Sequence, residues 1–285
     1  MSERVASLRS ITLNKPELVP IRLEGSVEET TLRTSDGMSL SARWWRRPGR
    51  PRAAVVLVHG FGASMDDAGI RALAADLHGA GFDVLTYDAR GHGGSEGYCT
   101  VGGEERKDVA AAASLAAVGG QPVVLVGVSM GAIAVLSHAA SPAPIGGVVV
   151  VSAPARWRMS PSLVGLAIVG LTRTRLGSWF MRHRLGVRVG ADWALAEPPL
   201  SIVGGIGVPI AVVHGRRDRL IRPAEARLLV EAAHEPRRLD VVSRMGHGID
   251  EHARAAVMAS IEWLMDARAS ADTSEGPDES TGESL

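Results

Sequence analysis

From residue 53 onward, short unbroken apolar runs alternate with stretches of helical periodicity. The runs are 53–59 (AAVVLVH), 82–87 (FDVLTY), 122–128 (PVVLVGV), 147–151 (GVVVV), 208–214 (VPIAVVH) and 237–243 (RRLDVVS). Apolar residues at successive positions suit strands buried on both faces, the signature of a parallel sheet covered by helices. Between the runs, 66–80, 103–118, 130–140, 223–234 and 249–268 read as helices. Strand and helix in alternation predict an α/β fold with a mostly parallel, doubly wound sheet. Ahead of it, 27–34 and 38–46 alternate polar and apolar positions across Ser35-Asp36-Gly37, which predicts an antiparallel hairpin at the N-terminal end of the sheet.

One interval breaks the rhythm. Between the runs ending at 151 and starting at 208 lie about fifty-five residues rich in Arg, Trp and Leu. A structureless loop of that length is improbable inside a compact domain, so 153–207 is expected to be a helical cap or lid insertion. The remaining organisation is an N-terminal extension over 1–26, a core of 27–152 and 208–268, and a tail over 269–285. The tail holds five acids and no base, cannot bury apolar surface and is expected to be disordered.

Composition narrows the partners. The chain has 285 residues, 46% of them hydrophobic, enough for one large core. Lys and Arg number 31, as do Asp and Glu, so no global field draws the molecule to nucleic acid or drives the whole of it onto an anionic membrane. Small molecules are the expected partners. Cys99 is the only cysteine, which rules out an internal disulfide and fits a reducing compartment. Residues 1–20 contain no apolar signal core, and the longest suspicious run, 163–171, falls far short of the ~20 residues a membrane span needs. A cytoplasmic setting is therefore expected.

Chemistry enters at Gly127-Val128-Ser129-Met130-Gly131, which joins a buried run to a helical stretch. A serine there caps many helices, but a cap needs no glycine two residues to either side. The pattern G-x-S-x-G between strand and helix matches a nucleophile elbow, in which a strained turn lifts the serine Oγ above the sheet. An alcohol needs a general base, and the base an orienting acid. Asp218 follows the 208–214 run and His247 the 237–243 run, so both are expected at the sheet edge where Ser129 emerges. Rival acids are weaker: Asp240 lies within a strand and Asp192 within the insertion. His214, His234 and His252 are read as structural, as is His59. The oxyanion of a tetrahedral intermediate needs preorganised donors; the backbone N–H groups of Met130 and Phe61, the latter in the loop after 53–59, are the candidates. No cofactor and no metal are expected.

These segments, VVLVHGFGAS, FDVLTYDARGHGGSEG, LVGVSMGA, VVHGRRDRLIRP and MGHG, occur in the order and spacing of α/β-hydrolases, and the chain resembles that superfamily from about residue 27 to about 268. The Tyr87–Gly97 stretch is similar to that of monoglyceride lipases, lysophospholipases and simple esterases. The resemblance implies the α/β-hydrolase fold, a triad of Ser129, Asp218 and His247, and loop-ordering roles for Asp88, Arg90 and His92. Phe61 stands where the HGGG esterase branch has glycine, which argues against that branch. The expected activity is hydrolysis of a carboxylic ester through an acyl-enzyme; thioester, amide or peracid chemistry on the same triad, and a non-catalytic binding protein, are the alternatives. Leu166, Ile168, Trp179 and Phe180 of the insertion are expected to line an apolar acyl pocket. Arginines 156, 158, 173, 175, 182, 184 and 188 have three readings: contact with an anionic membrane, recognition of an anionic substrate group, or a solvated face.

Overall fold

A computed structural model of the chain describes residues 26–157, 174–190 and 196–274. Eight strands form one sheet in the order β1-β2-β4-β3-β5-β6-β7-β8. The first two, β1 (Ser26–Arg33) and β2 (Ser39–Arg46), are the expected antiparallel hairpin, with Leu32 opposite Leu40. β2 pairs antiparallel with β4 (Asp83–Tyr87). From there β3 (Ala54–Val58), β5 (Val123–Val128), β6 (Gly147–Val151), β7 (Ile210–Gly215) and β8 (Arg237–Val242) run parallel, as the apolar runs predict.

Both faces of the central strands β3, β5, β6 and β7 are buried because successive residues of each strand serve different cores. Val56, Val58, Val123 and Leu125 pack under α2 (Glu105–Ala116) and α3 (Met130–Ala139), and on the same side α6 (Pro223–Ala232) lies over β7. Val55, Leu57, Val124 and Val126 pack on the other face, against α1 (Ala68–Gly79) and α7 (Glu251–Ser274). On α7 the stripe Ala253, Val257, Ile261 and Leu264 recurs every three to four residues, which keeps one side of the helix on the sheet.

The insertion contributes α4 (Arg175–Arg184) and a single turn, α5 (Pro199–Ile202). Leu166 and Ile168 lie outside the described residues, as do Arg158, Arg173 and Asp192. At the C-terminus one expectation is corrected. α7 continues past Arg268 to Ser274, because Ala269 and Ala271 are strong helix formers and nothing among 269–274 breaks the helix.

Candidate active site

The elbow is built as its glycines require. Ser129 ends β5 and precedes α3 with φ 51° and ψ −109°, a conformation L-residues rarely adopt. Its N–H donates to the Val151 carbonyl at 2.8 Å, which fixes the turn to the end of β6. A Cβ on Gly127 would lie 2.6 Å from the Gly131 carbonyl oxygen, and a Cβ on Gly131 would lie 2.5 Å from the Val58 oxygen and 2.6 Å from that of His59. Backbone on all sides leaves no room for any side chain. The turn is tight because strand, Ser129 and helix are packed to contact.

Three loops converge on Ser129. His247, in the loop after β8, brings Nε2 to 3.1 Å from Ser129 Oγ. Its Nδ1 is 2.8 Å from Asp218 Oδ2, in the loop after β7. The Asp218 side chain is fully buried, and its Oδ1 accepts the N–H groups of Leu220 and Ile221, both at 2.8 Å. Burial pushes the Asp218 pKa up, but the hydrogen bonds from His247, Ile221 and Leu220 outweigh it and hold the carboxyl below its ordinary value. A carboxylate thus faces the imidazole, and its acceptance at Oδ2 fixes the tautomer with the proton on Nδ1 and leaves Nε2 free to accept from the serine.

The loop after β3 closes the other side. Gly60 is so near the elbow that a Cβ there would sit 3.3 Å from the Val128 oxygen and 3.4 Å from Ser129 Cβ. Neither the Phe61 nor the Met130 N–H is drawn into a hydrogen bond among the described residues. A cavity of about 240 Å³ lies between the loops, lined by Phe61, Ser129 and His247 together with Asp67, Ile70 and Ile249.

Two buried histidines brace this loop. His59 Nδ1 meets the Gly60 carbonyl at 2.7 Å, while its Nε2 accepts the Ala89 N–H at 2.9 Å. His92 Nε2 accepts the Gly62 N–H at 3.3 Å, and Nδ1 meets the Arg90 carbonyl at 3.1 Å. The rings stand edge to face with centroids 5.0 Å apart. Burial lowers both pKa values to about 4, so each ring is neutral near pH 7 and able to accept a hydrogen bond. The adjoining loop is held by charge. Asp88 accepts the N–H groups of Met65 and Gly94, both at 2.9 Å. Buried Arg90 pairs with Asp36 at 2.9 Å and Asp108 at 2.7 Å.

Sequence reasoning passed over two residues that touch this machinery. His214, read as structural, lies with Nε2 3.0 Å from the Ile221 carbonyl and 3.5 Å from Asp218 Oδ2, behind the acid. Burial lowers its pKa, which leaves it neutral. Its spacing of four from Asp218 across a turn was the available signal. Ser152 follows β6 with φ 52°, is buried, and accepts the Gly248 N–H at 3.3 Å, so it holds the residue after His247. Nothing in the sequence marked it. Asp240 is an ion-pair partner of Arg238 at 2.8 Å, as its strand position suggested.

The expectation for Trp179 and Phe180 is corrected. Both lie on α4 but neither lines the cavity beside Ser129; they are 57% and 41% exposed. The side of α4 turned to the protein is taken by Met181, 2% exposed, which rotates the aromatic positions outward.

Residues 49–199, more than half of the chain, match the family described as serine aminopeptidase, S33. The match includes Ser129 and ends before Asp218 and His247. An uncharacterized protein of Mycobacterium tuberculosis is 28% identical over 248 residues, which are 85% of this chain and 82% of that one. Among solved structures, an esterase of Pyrococcus furiosus has a TM-score of 0.63 at 22% identity, covering 90% of this chain and 97% of that chain. An esterase of Exiguobacterium antarcticum has a TM-score of 0.64 at 17% identity, covering 84% of this chain and all of that chain. At such identities the structural likeness speaks for the fold, and the fold agrees with the sequence match. The chain belongs to the serine aminopeptidase S33 family, within the α/β-hydrolase superfamily of serine hydrolases.

Proposed function

We propose that this protein is a serine esterase that cleaves a small carboxylic ester, with an apolar acyl group, through an acyl-enzyme. The observation that carries the reading is the unbroken run of contacts from Ser129 Oγ through His247 to buried Asp218, at 3.1 and 2.8 Å. In the first step Ser129 Oγ bonds to the substrate carbonyl carbon while its proton passes to His247 Nε2. The negative charge reaching the carbonyl oxygen is met by the N–H groups of Phe61 and Met130. The carbon–oxygen bond to the alcohol then breaks, and His247 returns the proton to that oxygen. Water repeats the sequence on the acyl-enzyme: His247 takes its proton, hydroxide oxygen bonds to the acyl carbon, and Ser129 leaves protonated. Asp218 stays ionised throughout and stabilises the imidazolium.

Amide cleavage is the second reading, favoured by the description of the matched family. The same groups serve it, with the amine leaving in place of the alcohol. For the cellular setting we propose the cytoplasm, supported by the single buried cysteine; no helix among the described residues is long and apolar enough to cross a membrane.

The test is reaction of the folded chain with a fluorophosphonate probe, followed by turnover of matched p-nitrophenyl esters and aminoacyl p-nitroanilides. Labelling at Ser129, abolished by Ser129→Ala, with turnover of esters far ahead of anilides is the expected result. Faster anilide turnover would favour the amide reading, and a folded chain inert to the probe would leave a binding protein.

A further inference from the structure

We infer that α4 is a docking helix by which the protein lies on an anionic lipid surface. The inference rests on the face of this helix and stands whether or not Ser129 is the nucleophile. Along Arg175–Arg184 (RLGSWFMRHR), a turn of roughly 100° per residue gathers Leu176, Trp179, Phe180 and His183 within an arc of about 100°. Leu176, Trp179 and Phe180 are 77%, 57% and 41% exposed. His183 extends the stripe by stacking on Trp179, with centroids 4.7 Å apart.

The helix is anchored from its other side. Met181 is buried, and its carbonyl accepts the Val187 N–H at 3.1 Å. Beyond it, the Arg188 carbonyl accepts the Cys99 N–H at 2.7 Å, and the Arg188 guanidinium binds the carbonyls of Ser95 and Gly97. Arg188 is therefore spent on holding the segment to the core, as Arg156 is on Glu225 at 2.7 Å. The apolar stripe points outward on a fixed mount.

Charge selects the occupant. Residues 174–190 include four arginines and no acid. Arg182 and Arg184 are exposed and fall on opposite flanks of the stripe in the helical projection. Aromatic and leucine side chains on one face with arginine at the edges is the pattern of helices that lie in the headgroup region of a bilayer, where lipid phosphates meet the guanidinium groups. A second copy of this chain meets the reverse condition, because a two-fold contact across the stripe brings two cationic rims together.

Flotation of the full chain with vesicles tests this. Vesicles of phosphatidylcholine with about a third phosphatidylglycerol should carry the protein up, and vesicles of phosphatidylcholine alone should carry at least tenfold less. Leu176→Glu with Phe180→Glu, and separately Arg182→Glu with Arg184→Glu, should each weaken anionic binding at least tenfold while turnover of a water-soluble ester is unchanged. Brominated lipid should quench part of the tryptophan emission in the wild type, and Trp179→Phe should remove that part; this conservative change keeps the test open if the charged variants fail to fold. Equal binding to both vesicle types, or quenching that survives Trp179→Phe, overturns the inference. So does a concentration-dependent dimer that the same substitutions dissociate, which would give the face to a second copy.

Discussion

The paired histidines under the loop after β3 make stability depend on pH in a way that can be worked out from the structure. His59 and His92 stay neutral in the folded chain down to about pH 4. In the unfolded chain a histidine takes its proton below about pH 6.5. Between those values the unfolded state binds more protons, so folding stability falls as the pH falls. At pH 5 each ring costs about 2 kcal/mol relative to pH 7, against a total of roughly 5–15 kcal/mol for a typical domain. Asp108, raised to about 6 chiefly by burial, changes stability in the opposite sense, so the informative quantity is a difference between two proteins. The perturbation is His92→Gln, whose amide oxygen can still accept the Gly62 N–H but does not titrate. Urea unfolding at pH 7, 6 and 5, followed by far-UV circular dichroism, gives the free energy by linear extrapolation. Wild type should lose about 2 kcal/mol more than the variant between pH 7 and 5. Equal losses in the two proteins would refute the assignment of His92 as a neutral buried ring, whatever the variant's stability at pH 7.

Two further perturbations probe the elbow and the acid. Asp218→Asn keeps acceptance from the Leu220 and Ile221 N–H groups but no longer fixes the imidazole tautomer, and should lower kcat by about 10⁴ with little change in Tm; a loss below tenfold in an ester assay would remove Asp218 from the proposed triad. Gly131→Ala drives a methyl onto two backbone oxygens and should cost about 3 kcal/mol and slow fluorophosphonate labelling, whereas Gly205→Ala, where the added carbon meets nothing, should leave both unchanged.

The frame of the fold was legible because burial on both faces leaves a local mark. A run such as GVVVV at 147–151 reads as a covered strand without its neighbours, and β6 occupies those residues. The proximity of Ser129, Asp218 and His247 was legible for a similar reason, since each follows a recognisable strand. What the sequence withheld depends on contacts between distant segments. His59 and His92 are 33 positions apart and become a pair only when the loops after β3 and β4 meet. Ser152 gains its partner from Gly248, 96 positions away. The sequence marked Trp179 and Phe180 as apolar positions of the insertion but not which side faced the protein; Met181 and the bonds of Arg188 decide that, and they belong to tertiary packing.

Ser129 and His247 stand 118 positions apart in the chain, on loops from β5 and β8, and their contact exists only when the intervening β6 and β7 are both seated between those strands. Reactivity at one hydroxyl therefore reports on assembly of half the sheet. Labelling of Ser129 in a denaturant series or during refolding would count native molecules one by one, and would separate a chain that is merely collapsed from one whose strands are in register.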